Sequence, residues 1–159
     1  INIDRANVLG LDESDPNASD DIIVKELHLP VGRKVNFKFR SQDVLHSAYM
    51  PHFRAQMNCV PGMTTEFSFT PTVTTAEMRQ RPETVDKVKR TNAIRAEKAA
   101  MGEPNSDPWE FDYVLLCNKI CGKSHYNMQM KIIVETEEEY QAWLEGQQTF
   151  NETMASMQQ

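Results

Sequence analysis

One segment of this sequence, residues 113–134, reads YVLLCNKICGKSHYNMQMKIIV. Its two ends, 113–116 and 130–134, are rich in β-branched and aromatic residues and predict β-strands. The stretch between them has the spacing C-x3-C-x3-H-x2-M, with sulfur and imidazole donors at the positions listed here: Cys117, Cys121, His125 and Met128. A tight loop between two strands can bring these side chains to one point. The segment therefore predicts a strand–loop–strand unit whose loop carries a metal or redox site.

Alternating apolar and polar residues continue upstream of this unit. Val35, Phe37 and Phe39 alternate with polar residues, and residues 66–70 repeat the pattern after a Pro-Gly turn at 61–62. A period of two indicates strands with one buried face. Several short strands separated by turns are typical of a β-sandwich or a β-barrel.

Residues 74–108 differ in composition and predict a helical insertion. Thr74 and Glu77 fit a capping box, Pro82 is expected to end the first short helix, and residues 83–101 predict a second helix that stops at Gly102. The insertion carries seven basic residues, namely Arg79, Arg81, Lys87, Lys89, Arg90, Arg95 and Lys98. It is either a contact surface for another subunit or a solvated helix.

The end of the chain predicts a further helix. Thr136 with Glu139 forms a second capping box, ahead of the apolar residues Tyr140, Trp143 and Leu144. After Phe150 the sequence is polar and is expected to fray. We therefore expect one domain over residues 1–150, with 74–108 inserted in it, and a polar tail over 151–159.

Composition limits the classes of protein to which the chain can belong. It has 159 residues, 40% of them hydrophobic, and 17 basic against 23 acidic side chains give a net charge of −6. This length suits a single core, and the acidic balance argues against a nucleic-acid partner. No apolar run approaches the ~20 residues of a membrane span. Because the chain starts at Ile1 rather than Met, we expect a fragment or a processed product.

The donor set of the loop favours copper. Two thiolates, an imidazole and a thioether are soft ligands, and three cysteines are too few for a disulfide framework. The loop lacks a second imidazole, for which His46 is the best candidate, whereas Cys59 fits a small buried apolar residue. Structural zinc and a copper chaperone of the thioredoxin fold are the alternatives, and neither needs a Met at position 128.

The loop, together with D-V-L-H-S at 43–47 and V-P-G at 60–62, resembles the copper-binding domain of cytochrome c oxidase subunit II. The resemblance extends from about residue 22 to residue 144, interrupted by the insertion. It implies an all-β fold, a cupredoxin-like Greek-key β-sandwich, here with the helical insertion and a C-terminal helix. It also implies two copper ions in a binuclear Cu-A centre.

The resemblance assigns a role to each donor. Cys117 and Cys121 would bridge both coppers. His46 and Met128 would complete the ligand set of one copper. His125 and the backbone carbonyl of Lys119 would complete the ligand set of the other. A single blue copper needs only one Cys, so Cys117 is the residue that argues for two metals.

Two positions depart from the family pattern. Lys119 replaces a Glu that reaches a magnesium ion in relatives, which argues against magnesium here. Asn58 replaces an Asp associated with docking of the electron donor.

The resemblance further implies an electron relay, without its own substrate-reduction site, inside a haem-copper oxidase. Its expected partners are oxidase subunit I and cytochrome c or a cytochrome c-containing complex. The expected location is the periplasmic face of the bacterial inner membrane, with attachment through an N-terminal membrane hairpin upstream of Ile1.

Overall fold

The computed structural model describes residues 11, 12 and 14–157, and within them the chain forms seven β-strands and four α-helices. The strands are β1 (Glu26–Pro30), β2 (Val35–Phe39), β3 (His46–Met50), β4 (Ala55–Cys59), β5 (Thr65–Phe69), β6 (Tyr113–Cys117) and β7 (Gln129–Glu135). The helices are α1 (Thr75–Gln80), α2 (Pro82–Ala100), α3 (Glu137–Glu145) and α4 (Phe150–Met157).

The strands form a five-stranded and a two-stranded sheet. The larger sheet has the order β1-β7-β6-β3-β4, in which β1 pairs with β7 in parallel and the other neighbours are antiparallel. The smaller sheet pairs β2 with β5 in antiparallel register, with Val35 opposite Phe69. This order makes β3 and β6 direct neighbours, although more than sixty residues separate them along the chain.

Both sheets contribute to one hydrophobic core, so the predicted β-sandwich is confirmed. Ile132 and Val134 of the larger sheet are almost fully buried, and Phe37 and Phe69 of the smaller sheet pack against the same cluster. Phe53 connects the two sides, because its ring stacks on Phe69 at 4.6 Å and on Tyr113 at 4.7 Å between centroids. Such aromatic pairs add to the stabilisation that apolar burial already provides.

The two helices predicted for the insertion are present as α1 and α2, and α2 spans Pro82–Ala100 rather than residues 83–101. The insertion bounds 74–108 stay a prediction. Thr74 and Glu77 form the reciprocal hydrogen bonds of a capping box, and Gly102 has the positive φ of 74° that is typical of a residue just past a helix end. Arg79 of α1 donates to the carbonyl of Phe111 at 2.9 Å and to Asp112 at 2.8 Å. The insertion is therefore tied to the segment that leads into β6.

The predicted C-terminal helix is confirmed as α3, with Thr136 and Glu139 bonded as a capping box. The expected fraying after Phe150 is wrong, since these residues form α4. The reason is a third capping pair: Thr149 N–H donates to the Glu152 carboxylate at 2.9 Å, and Glu152 N–H donates to the Thr149 hydroxyl at 3.3 Å. These bonds satisfy backbone donors that a helix start otherwise leaves unpaired.

Contacts within the chain define two compact units, one over Glu26–Tyr140 and one that combines the chain up to Lys25 with the chain from Gln141. In the second unit the backbone N–H of Phe150 donates to the carbonyl of Asp21 at 2.6 Å. The division at residue 150 stays a prediction. No helix in the part of the chain that the structure describes is long and apolar enough to cross a membrane.

The first testable prediction concerns the bond between α1 and β7. The Val134 N–H donates to the Thr75 hydroxyl at 2.8 Å, and Thr75 is 3% exposed. Thr75→Val keeps the side-chain volume but leaves this N–H unpaired, so the free energy of unfolding should fall by about 1–3 kcal/mol in urea titrations. Thr75→Ser keeps the hydroxyl acceptor, so its free energy of unfolding should fall clearly less. An equal decrease in both variants would contradict the role of the hydroxyl.

Candidate metal centre

The loop between β6 and β7 is closed by local hydrogen bonds. The N–H of Cys117 donates to the carbonyl of Met128 at 3.0 Å, which joins the two ends of the loop. Inside it, Gly122 has a φ of 136°, where any side chain would strain the backbone, so a glycine is needed directly after Cys121. The N–H of His125 donates to the Gly122 carbonyl at 3.2 Å, and this turn directs the chain back towards Cys121.

The remaining imidazole comes from β3. Ala48 lies opposite Cys117 in the antiparallel β3–β6 pair, and the N–H of Asn118 donates to the carbonyl of Ser47 at 3.0 Å. His46 is the first residue of β3, so this register places its ring beside the start of the loop. The sequence predicted that His46 follows a strand, whereas it begins one.

Three groups that could ligate a metal lie close to the sulfur of Cys117. The sulfur lies 3.6 Å from Cys121 Sγ, 3.7 Å from His46 Nδ1 and 3.3 Å from the backbone carbonyl oxygen of Lys119. The ligand atoms of His46, Cys117 and Cys121 all lie within 4.8 Å of one another. The two cysteines are free thiols, and each is half-buried.

The two remaining donors lie on the other side of the pair. Cys121 Sγ is 3.5 Å from His125 Nδ1 and 3.8 Å from Met128 Sδ. Donor atoms that share one tetrahedral metal, with bonds of about 2.0–2.3 Å, lie roughly 3.3–3.8 Å apart. The structure thus brings all six predicted groups together at spacings that fit metal ligation, while the role of each as a ligand stays a prediction.

A carboxylate orients the His46 ring. Asp43 Oδ1 lies 2.8 Å from His46 Nε2, which leaves Nδ1 facing the sulfur of Cys117. The same hydrogen bond lowers the pKa of Asp43 to about 2 and raises the pKa of His46. A carboxylate that fixes the second nitrogen of a ligand histidine is common at metal sites. Sequence reasoning did not assign this role to Asp43; its only signal was a carboxylate three residues before a candidate ligand.

The two thiols have different acidities. Burial opposes ionisation of Cys117, but hydrogen bonds from the backbone of Ser47 and Lys119, followed by His46, hold its pKa at about 6. Burial and the adjacent Cys117 sulfur raise the pKa of Cys121. The environment of the pair therefore favours ionisation of Cys117 and disfavours ionisation of Cys121.

An apolar cavity of about 330 Å³ borders the donors. Phe39, Ala48, Leu115 and Met130 contribute to its wall, next to the ligand candidates. Cys59, opposite His46 in β4, also lines it, and burial raises the pKa of this third thiol. Cys59 is 9% exposed, which agrees with its predicted character as a small buried residue.

The fold and the donor cluster define a cupredoxin-like domain with a candidate metal site. No family model matches the chain. The crystal structure of the periplasmic domain of subunit II of cytochrome oxidase (CoxB) of Bradyrhizobium japonicum is similar, with a TM-score of 0.51 at 20% identity over 76% of this chain and 61% of that one. This likeness confirms the predicted fold class.

Curated relatives extend the similarity to the sequence. The alternative cytochrome c oxidase subunit 2 of Bradyrhizobium diazoefficiens is 38% identical over 151 residues, which cover 94% of this chain and 42% of that protein. The cytochrome c oxidase subunit 2 of Thermostichus vulcanus is 27% identical over 123 residues, 77% of this chain and 26% of that protein. The chain is homologous to cytochrome c oxidase subunit II, as its donor loop predicted, and spans less than half the length of these relatives.

The second testable prediction follows from the unequal thiols. In the metal-free, reduced protein, alkylation of Cys117 should be slow below pH 6 and level off above it, because only the thiolate reacts. Cys121 should react appreciably only at a pH above the ordinary pKa of a cysteine, because its own pKa is raised. Cys59, a buried thiol whose pKa is also raised, serves as an internal control. Peptide mass spectrometry after timed iodoacetamide pulses measures the three rates. Coincident pH profiles for Cys117 and Cys121 would contradict the assigned acidities.

Proposed function

We propose that this chain is the Cu-A domain of subunit II of a haem-copper oxidase. His46, Cys117, Cys121, His125, Met128 and the carbonyl of Lys119 would hold two copper ions, which would supply one-electron transfer from cytochrome c, or from a cytochrome c-containing complex, to the haem of subunit I. The observation that carries the proposal is the 3.6 Å approach of Cys117 Sγ to Cys121 Sγ, with an imidazole beside each sulfur.

The composition of the cluster supports two coppers over one. A mononuclear blue-copper site uses one Cys, two His and a weak thioether, a set that Cys121, His46, His125 and Met128 already supply. Cys117 would then not be a ligand in a mononuclear site, although it lies within the cluster. A pair of coppers held by both thiolates would use both cysteines and would leave one imidazole for each metal.

The protein's contribution to electron transfer is a rigid cage. Asp43 fixes the His46 ring, and the bond from Cys117 N–H to the Met128 carbonyl fixes both ends of the loop. Ligands held in this way need to move little when the charge of the site changes. The donor set would fill the coordination positions of two coppers, so this site would offer no open position for a substrate.

Homology supports the setting of this relay. The similar CoxB domain is described as periplasmic, and we place this chain on the periplasmic face of a bacterial inner membrane, against oxidase subunit I. Lys119 points to a centre without the neighbouring magnesium ion, because an ammonium cannot ligate it. The carbonyl of Lys119 is unaffected by this change and lies 3.3 Å from Cys117 Sγ.

The alternatives fit less well. A thioredoxin-fold chaperone requires a different architecture from the two-sheet sandwich seen here. A structural zinc site of two Cys and two His gains nothing from the Met128 sulfur, which lies 3.8 Å from Cys121 Sγ. Metal analysis together with an absorption spectrum separates these possibilities, because a zinc site is colourless and a copper site is not.

The third testable prediction uses the two cysteine environments. Reconstituted wild-type protein should bind two coppers and show the paramagnetic resonance signal of one unpaired electron shared between them. Cys117→Ser should leave at most one copper and abolish that signal, because a serine oxygen is too hard to bridge. The matched control is Cys59→Ser, which alters a thiol outside the cluster and should retain both coppers.

Metal analysis and the resonance spectrum decide this experiment. Two coppers with an unchanged spectrum in Cys117→Ser would contradict the binuclear assignment. Zinc bound in preference to copper by the wild-type protein would favour the structural module instead.

The fourth testable prediction concerns Met128 as a weak ligand. Met128→Leu keeps the side-chain volume and removes the sulfur, so copper should still bind through two thiolates and two imidazoles. The reduction potential should rise because a donor to the oxidised state is lost, and the electron should localise more on one copper. Voltammetry with resonance spectroscopy tests both effects; Met63→Leu, at a 55% exposed methionine outside the loop, is the control. An unchanged potential would remove Met128 from the ligand set.

A further inference from the structure

A second cleft lies where the helical insertion meets the sandwich. It encloses about 420 Å³ and is reached from the turn Pro51–Phe53, which follows the end of β3 opposite to His46. Phe53, Phe69 and Tyr113 form an aromatic floor. Its polar wall consists of His52, Arg54, Thr70, Thr72 and Arg81. The Cu-A proposal uses none of these residues.

Arg54 is held in an unusual backbone conformation. Its φ of 52° and ψ of 34° are left-handed, a region that favours Gly or Asn, and its N–H donates to the Pro51 carbonyl at 3.1 Å. A turn at this position could be built more favourably with either of those residues. An arginine kept in a strained turn beside a cleft indicates that its side chain serves a purpose.

Arg81 approaches the cleft from the insertion. It is the residue between α1 and α2, and its side chain makes no capping bond to α2. Arg81 lines the cleft together with Tyr113. Burial raises the pKa of the Tyr113 phenol, and the positive charge of Arg81 acts against that shift. The Tyr113 hydroxyl itself donates to the carbonyl of Val73 at 3.1 Å.

Neither arginine has a counter-charge. Among the described residues, no carboxylate lies within ion-pair distance of Arg54 or Arg81. Arg40, Arg90 and Arg95 also have no carboxylate partner, but each of these three donates a hydrogen bond to a neighbouring oxygen. The acidic group that faces this region, Glu77, is engaged in the capping box with Thr74. Two arginines without a counter-charge therefore line the same cleft as three aromatic side chains and two threonines.

We propose that this cleft binds a small organic phosphate. Arg54 and Arg81 hold the phosphate oxygens through charge-assisted hydrogen bonds, which guanidinium groups form in a bidentate fashion. The hydroxyls of Thr70 and Thr72 donate to the same group, and an apolar body contacts the aromatic side chains that line the cleft. The insertion supplies one of the two arginines, so the site exists only because residues 74–108 are present.

Three probes separate the parts of this recognition. Phenyl phosphate carries both the dianion and a flat body, inorganic phosphate carries only the anion, and phenol only the ring. Calorimetry on the full chain should show that phenyl phosphate binds more tightly than either of the others. Its affinity should decrease as salt is added, because charge attraction contributes to binding.

Two variants and one control assign the binding to the cleft. Arg54→Asn suits the left-handed turn, and Arg81→Gln keeps a long polar side chain, so both should fold with the wild-type urea midpoint or higher. Each should weaken phenyl phosphate binding by about tenfold or more. Arg90→Gln alters an exposed arginine on α2 that does not line the cleft, and it should leave the affinity unchanged.

Several results would overturn the proposal. The first is that both cleft variants bind phenyl phosphate with wild-type affinity. The second is that Arg90→Gln loses as much affinity as the cleft variants do. The third is that the wild-type protein binds phenyl phosphate and inorganic phosphate equally well. Copper loading is measured alongside in every variant, and it should stay at the wild-type level because the metal ligands lie at the other end of β3.

Discussion

The pairing of β3 with β6 is the constraint on which the candidate metal centre depends. Ala48 lies opposite Cys117, and the backbone bond from Asn118 to Ser47 fixes the register at the last residue before the loop. Side chains alternate between the two faces of a strand, so a shift by one residue would turn His46 away from the sulfurs. The imidazole from β3 and the four side-chain donors of the loop therefore share one site only in this register.

The same strand organises the opposite end of the sandwich. Beyond Met50 the chain turns through Pro51–Phe53, and Phe53 packs between Phe69 and Tyr113. This ring joins the two sheets and also forms the floor of the cleft beside the insertion. The insertion is thus integrated into the packing of the domain at a place well separated from the donor loop.

The sequence was most informative where its signals are local. The alternation around Phe37, the capping box at Thr74 and the spacing from Cys117 to Met128 each specify a structure within a few residues. The approach of His46 to the Cys117 sulfur depends on the pairing of β3 with β6 across the chain, which no local pattern specifies. The bond between Asp43 and His46 spans only three residues, and its sole signal in the sequence was a carboxylate at that spacing. The start of α4 was missed although Thr149 and Glu152 have capping-box spacing, because the polar character of the tail was given more weight.

The donors are distributed very unevenly along the chain. Four side chains and one carbonyl come from the twelve residues 117–128, whereas His46 lies 71 residues before Cys117. The short loop would offer the proposed copper five of its six donors already in the unfolded chain, while His46 could join only after a long-range contact of high entropic cost had formed. A ligand that also binds the unfolded state stabilises the native state less than its affinity suggests. In the proposed centre, copper that arrives before folding would meet an incomplete ligand set and copper that arrives afterwards would meet the whole one, so the order of folding and metal delivery would govern the yield of intact centres.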